Sequence, residues 1–140
     1  MFKLITIDQS NLELIDSFLL EAGKSLLSFR YFKKRPINSV LGHIVTYMIL
    51  DGTKPVCYGH LDQENGKVWL GMAVTESYRG KGLGDMMMGH LISAVRRKQI
   101  SKIHLAVDKD NSAAISLYTK FGFSLSEENN SFLIYVLLLE

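Results

Sequence analysis

An apolar run from Val68 to Thr75 is followed, three residues later, by Arg79-Gly80-Lys81-Gly82-Leu83-Gly84, and this turn opens an apolar helical pattern. A strand that turns through glycines into a helix leaves the first N–H groups of that helix unpaired. It also places the positive end of the helix dipole at the turn. The segment is therefore expected to cradle an anion, and pyrophosphate suits it. Spacing narrows the choice. A Walker loop requires G-x-x-x-x-G-K-[ST], and no glycine here is followed correctly by Lys-Ser or Lys-Thr. The dinucleotide fingerprint G-x-G-x-x-G fails too, because Gly80, Gly82 and Gly84 alternate and Asp85 stands where the third glycine belongs.

Around this turn the chain reads as one ordered set of elements. Phe2 to Ile7 alternates as a first strand. Ser10-x-x-Glu13 has the pattern of a capping box, and Leu12, Ile15, Phe18, Leu19 and Ala22 give the next helix one apolar face that Gly23 ends. Residues 24–43 are irregular. Leu26, Leu27, Phe29, Tyr31 and Phe32 suggest a short helix that Pro36 stops. Strands are expected at His43–Leu50, Val56–Asp62 and Lys67–Thr75, joined by turns at Asp51-Gly52 and Asn65-Gly66 as an antiparallel meander.

A helix over Leu83–Lys98 buries Leu83, Met87, Leu91 and Val95 at intervals of four. A strand at Lys102–Val107, a helix at Ser112–Phe121 and a strand at Phe132–Leu139 follow. The chain crosses from the fourth strand to the fifth through a helix, so that pair should be parallel and the rest antiparallel. The fold expected is α/β (α+β), with a mixed, mostly antiparallel sheet of six or seven strands flanked by about four helices. A length of 140 residues suits a single domain over 1–140 with one continuous core.

Composition excludes several classes. Sixteen basic against 14 acidic residues leave a formal charge of +2, too balanced to argue for nucleic acid, and Arg96-Arg97-Lys98 reads as a solvated helix end. Cys57 is the only cysteine, so neither an internal disulfide nor a thiolate metal cluster is expected, and no metal is called for. No run is long enough to cross a bilayer, and the opening Met-Phe-Lys-Leu-Ile-Thr-Ile does not resemble a targeting signal. A cytoplasmic protein without membrane contact is the default expectation.

A second motif supports a family resemblance. His104-Leu105-Ala106-Val107-Asp108 reads as a strand, and Asn111-Ser112-Ala113-Ala114-Ile115-Ser116-Leu117-Tyr118-Thr119-Lys120-Phe121-Gly122-Phe123 follows it. Together with R-x-x-G-x-G after a strand, N-x-x-A-x-x-L-Y-x-x-x-G-F resembles the GCN5-related N-acetyltransferase (GNAT) superfamily, in the expected order over roughly Val68 to Phe123. The resemblance implies a GNAT-like domain that uses acetyl-CoA as co-substrate. It implies that backbone N–H groups from Arg79 through Gly80, Lys81, Gly82, Leu83 and Gly84 to Asp85 hold the pyrophosphate. Glycine at 82 and 84 would let phosphate approach the main chain. It further implies that strand 4 at Met72, Ala73 and Val74 pairs with the pantetheine arm, that Asn111 contacts the cofactor, and that Tyr118 protonates the departing thiolate. Read without the motif, Asn111 caps the helix or terminates the strand, and Tyr118 is a half-buried core tyrosine.

The acceptor is less constrained. Amine acetylation needs a neutral nitrogen, and an amine of pKa about 10.4 is only about one part in 10³ neutral near pH 7. GNAT enzymes that acetylate ribosomal-protein N termini carry a glutamate five residues before the asparagine, where this chain has Ala106. His60, on the same strand face as Asp62, is a candidate base, with a structural strand histidine as the equal alternative. His43, His90 and His104 read as structural.

Phe29-Arg30-Tyr31-Phe32-Lys33-Lys34-Arg35 mixes rings with cations. As an amphipathic segment it needs no ligand. As a site, Arg30, Tyr31, Asp62 and Trp69 would bind an acceptor that is a small primary amine, and a weak finer resemblance points to an amino sugar or amino-sugar nucleotide. The competing readings are a protein or peptide amine acetyltransferase and a CoA-binding sensor without chemistry. A homodimer, common in the superfamily, would use an exposed final strand.

Overall fold

The computed structural model describes residues 1–139. Seven strands form one sheet in the order β1-β2-β3-β4-β5-β7-β6. β1 (Phe2–Thr6), β2 (Val45–Asp51), β3 (Lys54–Glu64) and β4 (Lys67–Val74) are antiparallel neighbours in succession. β5 (Lys102–Asp108) lies parallel to β4, as the helical crossover requires, and β7 (Phe132–Leu138) and β6 (Ser124–Glu128) follow antiparallel. Asn65 and Gly66 join β3 to β4 with φ of 54° and 76°, the two left-handed residues of a type I′ turn. That turn fixes a register in which Asp62 faces Trp69 and His60 faces Gly71.

Strand alternation divides the side chains between two layers. On one face Ile49, Cys57 and Leu61 meet Met87, Leu91 and Val95 of α2 (Leu83–Arg97). Gly59 lies on the same face, where a β-carbon would come within 2.6 Å of the Met87 sulfur. On the other face Met48, Tyr58 and Ala73 meet Ile15, Phe18 and Ala22 of α1 (Glu13–Glu21). Burial of each leucine, isoleucine, methionine, valine or phenylalanine among these contributes about 1.5–3 kcal/mol relative to exposure. Tyr58, His60 and Asp62 therefore share the α1 face, and α3 (Ser112–Lys120) packs with α2 on the opposite one through Tyr118.

Residues 24–43 form no α-helix. They wind through 3₁₀ turns at Gly23–Leu27, Tyr31–Lys33 and Ile37–Gly42, pinned to the sheet where Phe29 and Phe32 lie 5.4 and 5.5 Å from the Tyr58 ring. The capping box does not form. Ser10 bonds to the Asp8 carboxylate, Asn11 Oδ1 accepts from the Asp8 amide, and α1 starts at Glu13 with no side-chain cap. β6 has no counterpart in the sequence reading, because Ser-Leu-Ser-Glu-Glu is exposed throughout and lacks alternation. The final strand is interior, with β5 on one side and β6 on the other, so the exposed edge on which a dimer was expected belongs to β6.

β4 and β5 share a single paired position, Trp69 with His104. Past it, toward their C-terminal ends, the two strands have no ladder between them. The turn after β4 and the end of β5 both open onto this gap.

Candidate active site

Two cavities meet at the gap. The larger, about 770 Å³, runs along β4 past Met72, Ala73 and Val74 to the glycine turn and across to α3. Gly80 (φ 78°) and Gly82 (φ 81°) are left-handed, and a β-carbon on either would meet nothing within 4 Å, so their bare backbone faces open groove. Gly82 is the N-cap of α2 and supplies no side-chain cap. The first intrahelical bond of α2 runs from Met86 N to Gly82 O, which leaves the amides of Leu83, Gly84 and Asp85 without a backbone acceptor. A diphosphate fits such a cradle.

Gly84 does something different from what its motif position suggests. A β-carbon there would lie 3.1 Å from Leu117 Cδ2, so its lack of a side chain lets α2 approach α3. Asp85, an acid beside the cradle, is paired with Lys120 at 2.7 Å. Arg79 lines the groove and donates to Ser25 Oγ at 2.9 Å, while Ser25 in turn donates to the Val74 carbonyl. The Lys81 side chain is exposed and lies outside the groove lining, so only its backbone belongs to the cradle.

Asn111 and Tyr118 line the far wall. Asn111 Oδ1 caps α3 by accepting from Ala114 N at 3.2 Å, a bond that still leaves its NH₂ free. Tyr118 is 8% exposed, its hydroxyl has no protein partner among the described residues, and burial pushes its pKa up to about 12. It stays protonated at any physiological pH.

The smaller cavity, about 480 Å³, lies on the α1 side and collects Arg30, Tyr31, His60, Asp62 and Trp69. The separately predicted acceptor residues are thus brought together. It shares Leu70, Gly71, Ala106 and Val107 with the groove, so the two chambers adjoin at the β4–β5 gap. Ala106 is exposed at this junction, where it offers no carboxylate.

Polar contacts organise the smaller chamber. Tyr31 donates to Asp62 at 3.0 Å and shares a 2.6 Å bond with His43 Nε2, whose other nitrogen meets Thr46 Oγ1 at 2.9 Å. Burial and the nearby Asp62 carboxylate push the Tyr31 pKa up to about 12, while burial lowers that of His43. His60 is 3% exposed, with Nδ1 2.7 Å from the Tyr58 hydroxyl. Burial, then the neighbouring His43, holds its pKa well below the usual histidine range, so it is neutral near pH 7. Tyr58 OH has no other acceptor among the described residues. Hydrogen-bond accounting therefore makes it donor to Nδ1, which places the imidazole proton on Nε2.

Arg30 does not await an anion. Both of its terminal nitrogens donate to Asp108, at 3.1 and 2.8 Å. Arg35 lies 4.2 Å over the Tyr31 ring and pairs with Glu64 at 3.2 Å. His43, Asp108 and Ser25 were not singled out by the sequence. His43 was set aside as structural, and no local pattern announces an Arg30–Asp108 bond spanning 78 positions or a serine folded back onto β4.

Comparisons with known proteins agree with this geometry. The description Acetyltransferase (GNAT) family matches residues 9–123. Spermine/spermidine N(1)-acetyltransferase of Bacillus subtilis is 39% identical over 69 residues, 48% of this chain and 45% of that protein. The chain spans less than half the length of the curated relatives it matches. The GNAT domain of S. lividans PAT superposes with a TM-score of 0.86 at 14% identity, covering 99% of this chain and 90% of that one. The PaiA N-acetyltransferase from Thermoplasma acidophilum, in complex with coenzyme A, gives 0.81 at 18% identity over 99% of both.

Proposed function

The chain belongs to the acetyltransferase (GNAT) family, and from that premise we propose that it transfers acetyl from acetyl-CoA to the primary amine of a small molecule. The observation that carries this is the junction of the two chambers, where a groove ending at Tyr118 meets a pocket holding Asp62 and His60 across the β4–β5 gap. Acetyl-CoA would supply an acetyl carbon activated by sulfur. As the amine attacks it directly, a C–N bond forms, a C–S bond breaks, nitrogen gives up one proton and sulfur takes one.

The chain's own groups suit those changes. The amides from Gly80 to Asp85 would hold the pyrophosphate, and the unladdered edge of β4 at Met72 to Val74 would pair with the pantetheine arm. Asn111 keeps a free NH₂ toward the same groove. Tyr118 would hold a proton beside the departing sulfur. Outright transfer from a phenol near 12 to a thiolate of ordinary pKa about 8.5 costs about 5 kcal/mol. Tyr118 therefore serves first as a hydrogen-bond donor, and it completes the transfer as a dry site raises the thiol's own pKa. His60, neutral and with its proton on Nε2, would donate toward the reacting carbonyl, which reassigns it from the base suggested by its sequence position.

Several observations bear on the acceptor. A sugar-nucleotide diphosphate would need free cations, and Arg30 and Arg35 are both committed to carboxylates. A relative named for spermine and spermidine supports a small amine. The protein N-terminus alternative loses support because Ala106 brings no carboxylate to the junction. A sensor without chemistry has no use for an unpartnered Tyr118 hydroxyl in the groove.

Calorimetric titration with acetyl-CoA, followed by thiol release against a panel of amines, tests the proposal. Tight binding with amine-dependent release is expected. Binding without release from any amine would favour the sensor, and no binding would overturn the cradle.

A further inference from the structure

We infer that the smaller chamber selects an acceptor with one ammonium on an apolar or aromatic body, docked on Asp62, and rejects acceptors that carry a second charge; this rests on the acetyl transfer proposed above. Three carboxylates line the chamber, Asp62, Glu64 and Asp108, and two guanidiniums, Arg30 and Arg35. Arg30 is bidentate on Asp108, and Arg35 is held by Glu64 and the Tyr31 face. Asp62 is left over. Its side chain is only 13% exposed and receives one hydrogen bond, from Tyr31. His43 lies 3.8 Å away but is neutral and already bonded to Tyr31 and Thr46.

A nearly buried carboxylate with one neutral donor gains most from a ligand that brings one positive charge. A second cation on that ligand would find no free carboxylate, and an anion no free guanidinium. The remaining walls are Phe29, Trp69, Phe132 and Ile134, which accept an apolar or aromatic body. A chamber of about 480 Å³ falls in the size range of small-ligand sites.

Docking and deprotonation are separate events. The ammonium N–H breaks with its proton passing to water, which frees the nitrogen lone pair for attack beside Asp62. The acetylated product is an uncharged amide. It no longer complements Asp62, so it leaves.

Trp69 is the only tryptophan and forms part of this wall, so its fluorescence reports acceptor binding independently of turnover. The protein, saturated with CoA, is titrated with 2-phenylethylamine, phenylalanine, spermidine and glucosamine 6-phosphate. 2-Phenylethylamine should bind at least about tenfold more tightly than the other three, and Asp62→Asn should remove that advantage with melting temperature and CoA affinity unchanged. Glu64→Gln, which releases Arg35, should raise the affinity for phenylalanine severalfold. Equal or tighter binding of spermidine, phenylalanine or the sugar phosphate would overturn the inference, as would Asp62→Asn with unaltered 2-phenylethylamine binding. Selective binding without thiol release would uphold the chamber's preference and remove the proposed reaction.

Discussion

The His60 imidazole lies against the bare backbone of Gly71, so close that a β-carbon at position 71 would stand 2.6 Å from Nε2 and 2.7 Å from Cε1. The ring cannot retreat, because Tyr58 holds its far nitrogen and the His43 ring, tilted by 50°, lies with its centroid 4.5 Å away. Gly71→Ala should therefore displace His60. The expected outcome is a loss of about 1–3 kcal/mol of stability and a fall in turnover, with acetyl-CoA affinity within about threefold of the parent. Thermal melts, calorimetry and thiol release on one preparation measure all three, and unchanged turnover would remove His60 from the chemistry.

Tyr118→Phe should lower kcat by about 10²- to 10³-fold and leave acetyl-CoA binding within about twofold, because the role proposed for the hydroxyl is confined to the step where charge leaves on sulfur. The ring packs 5.9 Å from Phe123 and is retained in the variant. A parallel loss of affinity and kcat would instead make the hydroxyl a binding group.

The two motif glycines should separate. Gly82→Val places a branched side chain at φ 81° in the open cradle, and a loss of acetyl-CoA affinity of at least about 100-fold is expected. Gly84→Ala sits in regular helix, where alanine gains about 1 kcal/mol of propensity against a 3.1 Å contact that Leu117 can relieve. Affinity within about fivefold of the parent is expected there. Calorimetric titration distinguishes the two, and equal effects would return Gly84 to the role of phosphate contact.

Acid should destabilise the fold by a route that the histidines set. His60, His43 and His104 all have pKa values lowered chiefly by burial, so below about 6.5 the unfolded chain binds more protons than the folded one. Stability is then fully present above the unfolded value. It falls as pH drops below it, by up to about 1.4 kcal/mol per pH unit for each proton taken up. Urea midpoints between pH 5 and 8 should show this decline, and His60→Gln should make it shallower. For the same reason the kcat/KM profile should carry no inflection near 6.5 from His60. Such an inflection, lost in His60→Gln, would restore the imidazole as base.

Periodicity and turn chemistry made the frame legible, and side-chain pairing across the fold was not. The meander was readable because Asn65-Gly66 demands a type I′ turn and because Leu83, Met87, Leu91 and Val95 repeat at helical spacing. The cradle was readable because its glycines adjoin it in sequence. Ser10 and Glu13 misled because Asp8, two residues earlier, is the better acceptor for the serine. β6 escaped because a solvated edge strand has no apolar face to alternate. In the smaller chamber, residue types were visible in the right segments but not their commitments. Arg30 reads as a free cation until the fold brings Asp108 to it from 78 residues away.

One pairing between β4 and β5 is too few to zip two strands, and that thrift has a consequence for the life of the protein. A molecule that bridges those edges acts as a guest strand. It binds the native state alone, so free ligand at about 100 times its Kd adds about 2.7 kcal/mol to stability. Amide exchange at the ends of both strands should slow in step with ligand concentration. The persistence of this sheet in a cell would then follow the supply of the ligand that it holds.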